Sequence, residues 1–167
     1  MITVRQAHLH DAEAILRVRR ELIEEETFFI STVEEFRVTK EEQEKSLEQT
    51  KKQGGVTLVA ETDGEVIGFL SFKRSPMKRL SHAGFFGMGL TKSIRNQGAG
   101  KMLIHEMQQW GSKQEGLEKI CLGVLSSNER AVHVYQKMGF VEEGRERNFL
   151  KFADGSYADN MLMAFFL

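Results

Sequence analysis

Only one cysteine, Cys121, occurs in these 167 residues, so no internal disulfide can staple the fold, and a reducing cytoplasmic setting is expected. The chain has one proline, Pro76, which leaves no proline-rich linker to divide it. No apolar run approaches the ~18 residues of a membrane helix. The start, Met1-Ile-Thr-Val-Arg-Gln6, lacks the apolar core of a signal peptide. The closing Met161–Leu167 is apolar but short, and reads as a buried strand. Neither charge sign dominates: 23 basic against 24 acidic residues give a net −1, without the basic excess of a nucleic-acid binder. There is no internal repeat and no low-complexity tract. What remains is an ordinary globular composition, long enough for one domain over residues 1–167 with its own core.

Periodicity orders the elements. Residues 2–6 read as a strand, followed by a helix from about Asp11, an N-cap type, with Ile15, Val18 and Leu22 on one face. Thr39-Lys-Glu-Glu42 has the form of a capping box opening a polar helix to about Lys52. Residues 56–62 and 65–72 flank Asp63-Gly64, the signature of a two-residue hairpin turn. The run from Ala83 to Leu90 reads as a strand, and its three glycines predict a bulge or a ligand close to the backbone. A helix to about Gln114, a strand over 119–125 and a helix from Ser127 or Asn128 to Gly139 follow. A strand from Phe140, a turn at Asp154-Gly155 and a strand from about Asn160 close the chain. The order is mixed α/β around one central sheet.

The helix after residue 98 opens unusually, on Ser93-Ile-Arg-Asn-Gln-Gly98-Ala-Gly100-Lys101. A nucleotide P-loop fails twice here, because Arg95 stands where its first glycine belongs and Met102 where Ser or Thr belongs. A dinucleotide fingerprint fails at Leu103 and comes too late in the chain. Two readings stay open on the residues alone. One is a plain flexible turn. The other is a cradle of amides from Gln97 to Lys101 around a pyrophosphate, where missing Cβ atoms admit the phosphates and the helix end adds about 0.3–1 kcal/mol.

Arg95-Asn96-Gln97-Gly98-Ala99-Gly100 resembles the R/Q-x-x-G-x-G/A signature of the GNAT superfamily of N-acetyltransferases. A second segment, Asn128-Glu-Arg-Ala131-Val-His-Val-Tyr135-Gln-Lys-Met-Gly139-Phe140, is similar to that family's N-x-x-A-x-x-x-Y-x-x-x-G-F at all five fixed positions. The element order matches across nearly the whole chain. The resemblance implies a mixed sheet of about seven strands, flanked by about four helices, with a V-shaped splay between the fourth and fifth strands. It further implies that acetyl-CoA is the co-substrate. Residues Arg95 to Lys101 would hold its pyrophosphate, backbone groups near Met88 and Leu90 its pantetheine arm and thioester oxygen, and Asn128 the cofactor beyond its capping role. Direct attack by an acceptor amine in a ternary complex is then expected. A non-catalytic CoA-binding sensor on the same fold is the alternative, separated by whether free CoA is released with an amine.

Tyr135 matches the family's general acid, which protonates the departing thiolate; on periodicity alone it is a core aromatic. The base is harder to place. A primary amine of pKa about 10.4 costs roughly 4 kcal/mol to deprotonate at neutral pH. The glutamate that many relatives carry on the glycine-rich strand is missing, because residues 83–90 hold no carboxylate. His82 heads that strand and titrates in a useful range, with Glu26 and Glu61 as further candidates. His8 and His10 lack a third partner at metal-site spacing, so no metal is expected. Residues 21–48 carry ten glutamates against three basic residues, a net −7. In the family the matching helices wall the acceptor cleft, so a polycationic acceptor is expected; the competing reading is a solvated face with Lys40–Glu44 and Glu41–Lys45 pairs. An exposed last strand would allow a homodimer.

Overall fold

The computed structural model describes residues 1–167. Its strands are β1 (Thr3–Gln6), β2 (Val56–Thr62), β3 (Glu65–Arg74), β4 (Ala83–Leu90), β5 (Lys119–Leu125), β6 (Val141–Lys151) and β7 (Tyr157–Phe166). Its helices are α1 (Ala12–Glu24), α2 (Lys40–Lys52), α3 (Ala99–Ser112) and α4 (Glu129–Lys137). All seven strands join one mixed sheet in the order β1-β2-β3-β4-β5-β7-β6, in which only the β4–β5 pair is parallel.

Local chemistry sets the ends of these elements. Thr39 and Glu42 form the expected reciprocal box: the Glu42 amide donates to Thr39 Oγ1 at 3.2 Å and the Thr39 amide to Glu42 Oε2 at 2.8 Å. Asp63 and Gly64 both take positive φ, +50° and +80°, as a type I′ hairpin turn demands. Asn128 caps α4, its Oδ1 accepting the Ala131 amide at 3.2 Å. Asp11 stands at the start of α1 but caps nothing in it. Its buried carboxylate instead takes two bonds from Arg5, at 2.8 and 3.0 Å, and the His8 amide at 2.7 Å.

Two layers of helix bury the sheet. Leu103, Ile104 and Met107 of α3 are fully buried against Leu58, Leu70 and Phe72, each such side chain contributing about 1.5–3 kcal/mol. The same core continues under α4, where Tyr135, Phe86 and Phe140 meet edge to face or tilted at 5.7–5.9 Å between centroids. On the opposite face α1 and α2 pack Ala12, Ile15 and Leu47 on Val59 and Val66. Those two helices make their main contacts with β2, β3 and β4. Phe85, Val141 and Phe166 therefore stay exposed on the uncovered half.

Three expectations are corrected. The glycine-rich strand carries no bulge: β3 and β4 pair in one unbroken register from Gly68–Leu90 to Arg74–Gly84. Two of its glycines answer to packing, because a Cβ at Gly84 would stand 2.4 Å from the Lys73 carbonyl oxygen and one at Gly89 2.2 Å from Leu22 Cδ1. Second, the last strand is not exposed; β7 starts at Tyr157, pairs with both β5 and β6, and leaves β6 as the edge. Six charged side chains on β6 guard that edge against further pairing. Third, the Lys40–Glu44 and Glu41–Lys45 ion pairs do not form.

Candidate active site

The parallel ladder between β4 and β5 is three residue pairs long, from Ala83–Lys119 to Phe85–Cys121, and then the strands part. Hydrogen-bond parity decides what the gap exposes. Thr91 N donates to Ile67 O at 2.9 Å, and Ser75 N to Ala83 O at 3.1 Å, so the odd-numbered residues of β4 bond β3. The even-numbered ones point the other way. Met88 and Leu90 thus turn their N–H and C=O groups into the gap, where no β5 residue meets them. Only a long 3.5 Å contact from Arg95 reaches the Leu90 carbonyl. Unpartnered ladder groups at this depth are places for a ligand's amides.

Just past β4, the chain makes a short 3₁₀ turn (Lys92–Ile94) and enters α3 at Gly98. Gly98 has φ +87°, and a Cβ built there meets nothing within 4 Å. The amides of Asn96, Gly98, Ala99, Gly100 and Lys101 donate to no protein group, whereas Gln97 N is already engaged by Ile94 O at 3.4 Å. Gly100 lies beside the Leu90 and Met88 side chains, so the amide turn and the β4 gap are continuous. The fit to a pyrophosphate followed by an extended amide-bearing arm is good. Besides the Gln97 amide, a second member of the expected cradle is spoken for: the Arg95 guanidinium makes a bidentate pair with Glu25, and Glu21 Oε1 accepts the Lys92 amide at 2.9 Å. Lys101, exposed at the turn, is left as its free cation.

Sequence reasoning missed Glu21 and Glu25, read there only as part of an acidic wall. Their partners lie about seventy residues away, and nothing local signals such a pairing. Together with Glu35 on the Thr32 amide and Glu42 in its box, four of the ten glutamates hold the fold.

Tyr135 comes to the root of the gap. Its ring stands edge-on to Phe86, the first β4 residue past the last paired position, at 5.9 Å. Burial among Phe86, Phe140 and their neighbours pushes the phenol up to about 12. The hydroxyl has no protein partner, and it is not a sealed unsatisfied group, so it remains in reach of solvent or ligand. Asn128 lies three residues past β5, with its Oδ1 committed to the cap. His82 is exposed at the closed end of the β4–β5 pair, with its carbonyl accepting Glu118 N and Lys119 N. It lines a cavity of about 230 Å³ on the uncovered sheet face with Leu80, Phe85, Lys119, Cys121 and Glu143. Glu61 is taken up by Arg5. The structure thus brings Met88, Leu90, Gly98–Lys101 and Tyr135 around one gap and leaves His82 at its far end.

Comparison with known proteins places the chain's family and fold. The model of the acetyltransferase (GNAT) family matches residues 17–140. The L-amino acid N-acetyltransferase AaaT of Escherichia coli is 33% identical over 107 residues, which make up 64% of this chain and 65% of that protein's length. An acetyltransferase of the GNAT family from Streptococcus pneumoniae superposes with a TM-score of 0.92 at 28% identity, over 100% of both chains. At 19% identity, a GNAT superfamily phosphinothricin acetyltransferase from Sinorhizobium meliloti, solved with acetyl-CoA, shares the fold with a TM-score of 0.86 over 99% of this chain and 88% of that one. With a family model matching most of its length, the chain belongs to the acetyltransferase (GNAT) family.

Proposed function

We propose that the protein transfers an acetyl group from acetyl-CoA to an amine by direct attack. One observation carries this reading: Met88 and Leu90 present unpartnered backbone groups into the β4–β5 gap, continuous with the free amides of Gly98–Lys101. Acetyl-CoA, when bound, supplies an acetyl thioester activated toward nucleophiles. The turn's amides and Lys101 hold its phosphates. Met88 and Leu90 bond the amide-bearing arm, and an N–H fixed in the gap stabilises charge that develops on the acyl oxygen. Tyr135 keeps its proton at neutral pH because burial disfavours the phenolate, and donates it to the departing sulfur.

An α-amino group suits this site better than a lysine side chain. At a peptide N-terminus its ordinary pKa is about 7.7–8.0, so freeing its lone pair at pH 7 costs roughly 1 kcal/mol instead of about 4–5. That asks less of a site whose glycine-rich strand carries no carboxylate, and the relative AaaT is named for L-amino acids. At a hundredfold excess over Kd, acetyl-CoA should add about 2.7 kcal/mol, a Tm rise of roughly 5–11 °C. Gly98→Val strains a left-handed position and fills the open space beside the turn, so it should abolish that rise. Persistence of the full rise in Gly98→Val refutes the phosphate turn. Failure of a panel of free amino acids, polyamines and lysine peptides to release CoA thiol refutes the transferase.

A further inference from the structure

The face of the sheet opposite Tyr135 holds an opening of its own. Gly87 of β4 and Gly123 of β5 both lie beyond the last paired position and both turn toward that face; a Cβ at Gly87 meets nothing within 4 Å. Phe85, Val141 and Phe166 on that face are exposed. Two glycines flanking the gap leave a window through which a second reactant can reach the acyl group from the side away from the phenol.

One carboxylate attends this window. Asn160 of β7 lies against Gly123, its Oδ1 2.9 Å from where a Cβ would stand. Its Nδ2 donates to Glu146 Oε2 at 2.6 Å. Glu146 and Asn160 are directly opposed in the β6–β7 ladder, as are Gly123 and Leu162 in β5–β7, so all share one face of the sheet. Other charges nearby are already spent. Glu143, on the same face, is paired with Lys119 at 2.7 Å. Arg145 and Asp159 pair loosely with each other at 3.9 Å on the other side, where Arg145 opposes the core residue Met161. Arg147 and Glu146 make no ion pair. Glu146 therefore has no cationic partner, and it is aimed by an amide that touches the window.

We infer that Glu146, positioned by Asn160, receives the ammonium of the acceptor at the Gly87–Gly123 window and takes its proton. This rests on the transferase reading above. The acceptor ammonium gives one proton to the Glu146 carboxylate, and the freed lone pair forms the N–C bond to the acetyl carbon. The C–S bond breaks and the sulfur takes the Tyr135 proton; the second proton on nitrogen leaves to water at the open window, and the phenolate regains a proton from solvent. The carboxylic acid then loses its proton to water, so the enzyme ends as it began.

The experiment uses the full chain and whichever of free L-amino acids, spermidine or a lysine peptide turns over fastest. Glu146→Gln should lower kcat/KM at least a hundredfold and weaken binding of that amine to the CoA-saturated protein in calorimetry. Asn160→Ala should cost about tenfold, as expected for losing one hydrogen bond to a charged group. Neither should change the Tm rise with acetyl-CoA. Glu142→Gln, on the opposite face, should behave as wild type. If Glu146→Gln stays within threefold of wild type, or Glu142→Gln loses as much, the assignment is wrong while the transferase reading stands. If the unaltered protein shows neither a Tm rise nor thiol release, the transferase reading itself fails.

Discussion

Tyr135 illustrates how one side chain carries two readings until its surroundings are known. The heptad-like spacing that makes it core-facing and the family pattern that makes it catalytic are both satisfied: its ring is packed and its hydroxyl is left without a partner. Tyr135→Phe keeps the packing and removes only the proton, so kcat should drop about 10²- to 10⁴-fold with unchanged acetyl-CoA affinity and near-normal Tm. An ordinary phenol would ionise near pH 10; at about 12, this one should impose no alkaline limb on the rate below pH ~11. The folded state holds the proton that the unfolded chain gives up, so this group's contribution to stability falls as pH rises from 10 to 12. Asp11 works in the opposite direction. Burial alone would raise its carboxyl, but the Arg5 bonds and the His8 amide outweigh it and hold it below the usual range. Its contribution is therefore present above pH ~4 and lost as acid protonates it. Asp11→Asn should cost ~1.5–3 kcal/mol at neutral pH, seen as a lower midpoint in urea, and the gap to wild type should close toward pH 2. Sequence pattern marked Asp11 as a cap for α1; Arg5, six residues back on β1, claims its carboxylate instead.

Among the elements, those governed by nearest neighbours were legible. The Thr39–Glu42 box, the Asp63–Gly64 turn and the Asn128 cap all follow from residues within four positions of one another. The glycines of β4 predict a bulge or a ligand close to the backbone, and the bulge fails because sequence shows an absent side chain but not what fills its place, here Leu22 and Phe72. Glu21, Glu25 and Glu146 were illegible for a related reason, since each is defined by a partner on another element. The strand itself makes a testable alternation. Amides at Gly87 and Gly89 bond β3 and should exchange slowly with or without ligand. Those at Met88 and Leu90 should exchange fast in the free protein and become protected when acetyl-CoA is added. Equal protection of all four in the free protein would mean that β5 closes on β4 in solution and the gap does not exist.

For the molecule as a whole, the topology was legible from element order plus the two family segments, while the depth of the β4–β5 opening was not, because strand divergence leaves no mark on composition. No helix is long and apolar enough to cross a membrane. The short parallel seam also has a consequence for how the chain is made. Strands β1–β4, with α1 and α2 on one face and α3 on the other, use only residues up to Ser112. Everything beyond the seam is translated afterwards. At roughly 5–20 residues per second, a ribosome needs about 3–11 seconds to deliver the remaining stretch to Phe166. Throughout that interval the nascent half-sheet offers β4 as its border, a strand with three glycines and no charge. β6, which bounds the finished sheet, carries six charges; β4 carries none because it must later admit a ligand. The protein is thus most exposed to wrong pairing not after folding but during its own synthesis, at the strand its function keeps uncharged.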